Sequence, residues 1–147
     1  MIKKLLIVIL IIGSVVLVIN FLPGFGSFTS NQAVLYKGAR AIMGGVTALD
    51  QAGADELLAN DLEISQTSIK FGELLCADPQ TVFENVRNED LFATELGLPL
   101  QGSGIVVTEA KLAVNNCDGG PIWRYLLFED GSVMLLWEGT GLLFEPQ

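Results

Sequence analysis

The sequence predicts an α+β fold: an N-terminal transmembrane helix, then a small domain of helices packed on a three- to four-stranded antiparallel meander. Three observations lead there. Residues 5–22 read LLIVILIIGSVVLVINFL and carry no charge. Residues 32–59 repeat apolar side chains at helical steps. The last third of the chain is strand-like and contains an Asp-Gly turn between two apolar runs.

As a helix, residues 5–22 would be about 27 Å long, close to the roughly 30 Å hydrocarbon core of a bilayer. Lys3 and Lys4 precede the run, and basic residues beside a span stay in the cytoplasm. The expected layout is therefore a cytoplasmic lead (1–4), a single-pass signal anchor (5–22), a linker (23–31) and an extracytoplasmic domain (32–147). A cleaved signal peptide is the competing reading. It is disfavoured because cuts after Ser27 or Ser30 put Phe25 or Phe28 where a small residue is wanted. Gly13, Ser14 and Asn20 are the only departures from apolar character. Pro23, Gly24 and Gly26 end the run.

Charge divides at the anchor. All 17 acidic residues lie beyond Leu22 with 6 of the 8 basic ones, so the remainder carries 6 − 17 = −11. That argues against nucleic acid and against lying flat on anionic lipid. A basic partner or a cation is compatible with it, and a solvated exterior surface is the plainer explanation. Protein partners or self-assembly are expected alongside the membrane itself.

Cys76 and Cys117 both fall on the expected outer side, where disulfides persist. A bridge between them is expected; a redox couple or metal ligation is the alternative. There is no C-x-x-C spacing and no histidine to support either alternative.

Leu35, Ile42, Val46, Leu49 and Leu57 give residues 32–59 their helical periodicity. Ala41, Gly45, Ala48 and Ala52 would form a small-residue stripe on that helix. They are the candidates for a helix-packing interface, with packing against the domain's own sheet, or a break at Gly44-Gly45, as the favoured alternative. Residues 62–71 alternate Leu62, Ile64, Ile69 and Phe71 with polar neighbours, which fits a strand with a slip in the middle. Asp78-Pro79 reads as a helix start, with Val82, Phe83 and Val86 on its buried face. A helical turn over 89–96 should end at Gly97 and Pro99. Residues 105–114, 122–128, 133–137 and 142–144 are the expected meander, with Glu129-Asp130-Gly131-Ser132 as a hairpin turn. Trp123, Tyr125, Phe128, Trp137 and Phe144 should supply its packing.

No catalytic motif is present. The absence of histidine removes Ser-His-Asp and Cys-His arrangements and most zinc sites. There is no G-x-S-x-G, phosphate loop or G-x-G-x-x-G; Gly102-Ser103-Gly104 reads as a loop. The carboxylate pairs Glu89-Asp90 and Glu129-Asp130 fall in expected turns. The run from Asn115 to Gly120 is oxygen-rich but lacks the ligand spacing of a calcium loop, and reads as a turn beside the disulfide. No cofactor, metal site or catalytic residue is expected.

The order of parts (apolar N-terminal segment, Pro23, helix over 32–59, meander over 105–144, Cys76 and Cys117) resembles that of type IV pilins and type II secretion pseudopilins. The processing motif of that family, a glycine before a Phe-Thr-Leu-Ile-Glu-like start, does not occur. The resemblance implies a filament or secretion subunit. The residues themselves favour a non-enzymatic, membrane-anchored structural or accessory subunit of a complex in the cytoplasmic membrane. Its domain would lie in the periplasm or outside the cell. A periplasmic ligand-binding or enzymatic domain is the third expectation.

Overall fold

The computed structural model describes residues 32–101, 103–118 and 123–147. The anchor expected at 5–22 and the linker at 23–31 lie outside them. Among the described residues no helix is long and apolar enough to cross a membrane.

The α+β expectation is overturned. The described chain forms one nine-stranded antiparallel sheet and two short helices. The strands are β1 (Val34–Met43), β2 (Leu62–Ile64), β3 (Ser68–Phe71), β4 (Leu74–Ala77), β5 (Gln80–Arg87), β6 (Glu109–Asn116), β7 (Trp123–Leu127), β8 (Val133–Trp137) and β9 (Thr140–Pro146). The helices are α1 (Gln51–Leu58) and α2 (Asn88–Leu91), the second running into a π-helical turn, Phe92–Leu96. The sheet order is β4-β3-β2-β1-β9-β8-β7-β6-β5. Both arms meander outward from the β1–β9 ladder, and the chain passes from one end of the order to the other through Asp78 and Pro79 alone.

Two predicted helices are strands. Residues 34–43 form β1, which pairs with β9 from Tyr36↔Pro146 to Met43↔Thr140 and with β2 from Val34↔Ile64 to Tyr36↔Leu62. Ladders on both sides outweigh the helical spacing, because strand formation depends on the partners available more than on intrinsic preference. Only 51–58 of the expected helix is helical. Asp50 caps it, accepting a hydrogen bond from Gly53 N at 2.8 Å. Gly38 lets α1 sit on β1: a Cβ there would meet Leu58 O at 2.1 Å. The helix expected after Asp78-Pro79 is β5, paired with β6 over its whole length. Residues 62–71 are two strands, β2 and β3, joined by a turn that the Ser65 hydroxyl holds.

The meander expected in the last third is β6–β9. Its first strand begins at Glu109 rather than near 105. The Asp130-Gly131 turn is a hairpin, with Asp130 Oδ1 accepting from Ser132 N and Oγ at 2.9 and 2.6 Å. Glu138 and Gly139, both at positive φ (48° and 78°), turn β8 into β9, as a two-residue hairpin between right-twisted strands requires. The helical turn over 89–96 is present and ends at Gly97, φ 62°.

The sheet curls. Phe71 on β3 meets Trp137 on β8 and Phe144 on β9, each with ring centroids 5.7 Å apart. The inner face holds Tyr36, Leu62, Ile69, Phe71, Trp123, Tyr125, Leu135 and Phe144. Side chains alternate along a strand, so Leu112, Leu126, Met134 and Leu143 lie on the other face. There Leu91, Phe92 and Leu96 cover them. Arg124 on β7 clamps that cover through a double hydrogen bond to Glu95, at 2.6 and 2.9 Å. The strap that follows (residues 97–101 and 103–108) is tied down by Asn88, whose N donates to Thr108 O and whose Nδ2 donates to Val107 O.

Candidate docking edge and neighbouring cavities

Cys76 and Cys117 are bonded, with Cα atoms 5.2 Å apart. Cys76 faces inward on β4, opposite Ile69, and Cys117 directly follows β6. The disulfide therefore joins the end of β4, at one limit of the sheet order, to the strand beside the other limit. It clasps the curl where Asp78 (φ 46°) and Pro79 turn β4 into β5.

The four small residues proposed for a helix stripe are not on one helix. Ala41 is half-buried in β1. Gly45 and Ala48 lie in the loop after it, and Ala52 is exposed on α1. The loop backbone packs within the domain: Gly45 N donates to Leu96 O at 2.7 Å and Ala48 N to Glu138 O at 3.3 Å. At neighbouring Gly44, a Cβ would meet Gly139 O at 2.0 Å. Smallness here allows two backbone segments to approach inside one chain.

The surface that stands out is the pair of end strands. Among the described residues, β4 and β5 each have a ladder on one side only. The exposed large apolar side chains concentrate on them: Leu74 (44%), Leu75 (64%), Val82 (57%) and Phe83 (52%). Val82 shares a face with Val114 and Phe83 with Ala113, so β5 presents an apolar group on each side of the sheet. Its start is fixed from behind. Thr81 Oγ1 donates to Asn115 Oδ1 at 2.6 Å, and the fully buried Asn115 donates through Nδ2 to Trp123 O at 3.1 Å.

Charge along this edge is lopsided. Residues 73–90 hold Glu73, Asp78, Glu84, Glu89 and Asp90 against Arg87, a net 1 − 5 = −4. Arg87 reaches Glu89 and Asp90 at 3.5 and 3.7 Å. Elsewhere Lys37 pairs with Asp61 and Arg124 with Glu95.

Two open cavities flank the strap. One, of about 390 Å³, is lined by Arg40, Ile42, Met43, Leu98, Pro99 and Ser103 among others. Arg40 Nη1 there donates to Ser103 O at 2.6 Å. The second, of about 590 Å³, shares Leu98, Pro99 and Gln101 and adds Glu89 and Thr108. Neither brings two carboxylates together. Among the described residues no three His, Cys, Asp or Glu side chains converge as metal ligands. Burial raises the pKa of both tyrosines. For Tyr125 the proximity of Tyr36 adds to the rise, and a hydrogen bond with Asn115 opposes it. These phenols lie in the inner core and act as packing groups.

Sequence reasoning missed the edge because Asp78-Pro79 resembles a helix start. The opposing signal was present: Thr81, Val82, Phe83 and Val86 are strand-favouring residues. No protein-family model matches the chain, and no curated protein or solved structure matches it either.

Proposed function

We propose that this chain is a membrane-tethered, non-enzymatic accessory subunit whose acidic β domain binds a protein component of a membrane-associated complex. Residues 5–22 tether it to the cytoplasmic membrane, and Lys3 and Lys4 keep its N-terminus inside. The Cys76–Cys117 bond is in keeping with an oxidising exterior compartment.

The observation that carries the reading is the concentration of Leu74, Leu75, Val82 and Phe83 on the two strands with an open side. An exposed apolar sheet edge is a template for another chain. The test is affinity isolation of the tagged full-length protein in mild detergent, with mass spectrometry of partners and of its N-terminus. A stoichiometric membrane partner, residues 1–22 retained, and loss of that partner in Phe83→Lys is the expected result. A protein that migrates alone, or a partner retained by Phe83→Lys, overturns the reading.

A further inference from the structure

We infer that the β5 edge accepts an extended, lysine- or arginine-bearing segment of a partner protein as an added strand. The inference rests on the docking reading above and specifies the occupant.

Four features point to a strand of that charge. Among the described residues no strand pairs with the outer side of β5 along Gln80–Arg87, and main-chain hydrogen bonds are what strand addition uses for affinity. The edge is held in place from behind by the Thr81–Asn115–Trp123 hydrogen bonds, so little ordering is needed when a strand arrives. Val82 and Phe83 stand on opposite faces and are each more than half exposed. The alternating side chains of an added strand would therefore find an apolar neighbour on both faces. Finally, β4 and β5 contain no lysine, and the proline lies between them. Proteins block open edges with lysine and proline; on β5 itself Glu84 and Arg87 offset each other, and the strand is flanked by Asp78 on one side and Glu89 and Asp90 on the other. Arg87, the single cation of residues 73–90, is engaged by Glu89 and Asp90. With its flanks, residues 78–90, β5 carries 1 − 4 = −3, so a second copy of this chain would bring two acidic flanks together, whereas a cationic strand neutralises one.

The test uses the full-length protein in detergent micelles and fluorescence polarisation of a labelled peptide alternating lysine with valine. The comparators are its glutamate–valine counterpart and a version N-methylated at alternate residues. The lysine–valine peptide is expected to bind at least about tenfold tighter than either comparator. Binding should weaken as salt rises, weaken at least about tenfold in Val82→Lys and Phe83→Lys, and stay unchanged in Val106→Lys. Phe83→Ser, with the fold checked by near-ultraviolet circular dichroism, guards against a misfolded lysine variant. Equal binding of the N-methylated peptide overturns strand addition. Tighter binding of the glutamate peptide overturns the charge assignment while the docking edge stands. Self-association abolished by Phe83→Lys makes a second copy the occupant and overturns the inference. Absence of peptide binding, with a partner still lost in Phe83→Lys, overturns the strand while the docking reading survives.

Discussion

Replacing both Cys76 and Cys117 by alanine should remove about 4 kcal/mol of stability. The two residues are 41 positions apart. In the chain-entropy model, cross-linking a loop of that length restricts the unfolded chain by about 13 cal/mol/K, or roughly 4 kcal/mol at room temperature. For a folded domain of about 116 residues, unfolding entropy near 2.1 cal/mol/K per residue converts that into a drop of about 16 °C in Tm. Where the loss appears follows from the fold. The bond ties β4 to the end of β6 and so holds the first arm of the sheet over the second. Amide exchange should accelerate first in β3, β4 and β5, while β7, β8 and β9, paired on both sides, keep most of their protection. Urea unfolding of the wild type and the double variant, with hydrogen exchange on both, reads the two effects. A loss under about 1 kcal/mol, far below the loop-closure value, or uniform loosening of every strand, would refute the clasp.

Phe71→Ala should cost about 3–5 kcal/mol, because Phe71 is buried against Trp137 and Phe144. Phe83→Ala should change stability by no more than about 0.5 kcal/mol, since its ring is half exposed; chemical denaturation separates the two. Glu95→Gln removes one partner of the bidentate pair with Arg124, both about one-third exposed. It should cost about 1 kcal/mol, and an unchanged salt dependence of unfolding would contradict an electrostatic clamp. Burial raises the pKa of Tyr36 and Tyr125 above 10.0, so the folded chain keeps phenolic protons that the unfolded chain releases. That contribution to stability is complete below about pH 10 and is lost as pH rises further. Ultraviolet titration should show phenolate only as the protein unfolds; a phenol titrating reversibly near pH 10 in the native protein would contradict the burial.

The parts legible in sequence were those whose structure is set locally. Asp130-Gly131 between apolar runs defined the β7–β8 hairpin, Gly97 ended the helical turn, and two cysteines on one side of an apolar segment pointed to a bridge. β1 and β5 were misread because distant partners decide them. Leu35, Ile42, Val46 and Leu49 recur at helical steps, yet β2 pairs with residues 34–36 and β9 with residues 36–43, and these ladders give that backbone its hydrogen bonds. Asp78-Pro79 carries the local signature of a helix start, but Asp78 adopts positive φ and sends the chain across to β6. The candidate edge was hidden for the same reason: a strand is an edge only relative to the whole sheet order, which no local pattern records.

The most direct test of the docking account is site-specific photocrosslinking in intact membranes. A photoreactive phenylalanine analogue would replace Leu75 or Phe83 on the edge, and Val106 or Val46 as equally apolar exposed positions away from it. The account predicts a discrete adduct with one protein from positions 75 and 83, and none from 106 or 46. Adducts of equal strength from all four positions, or from 106 and 46 alone, would contradict it.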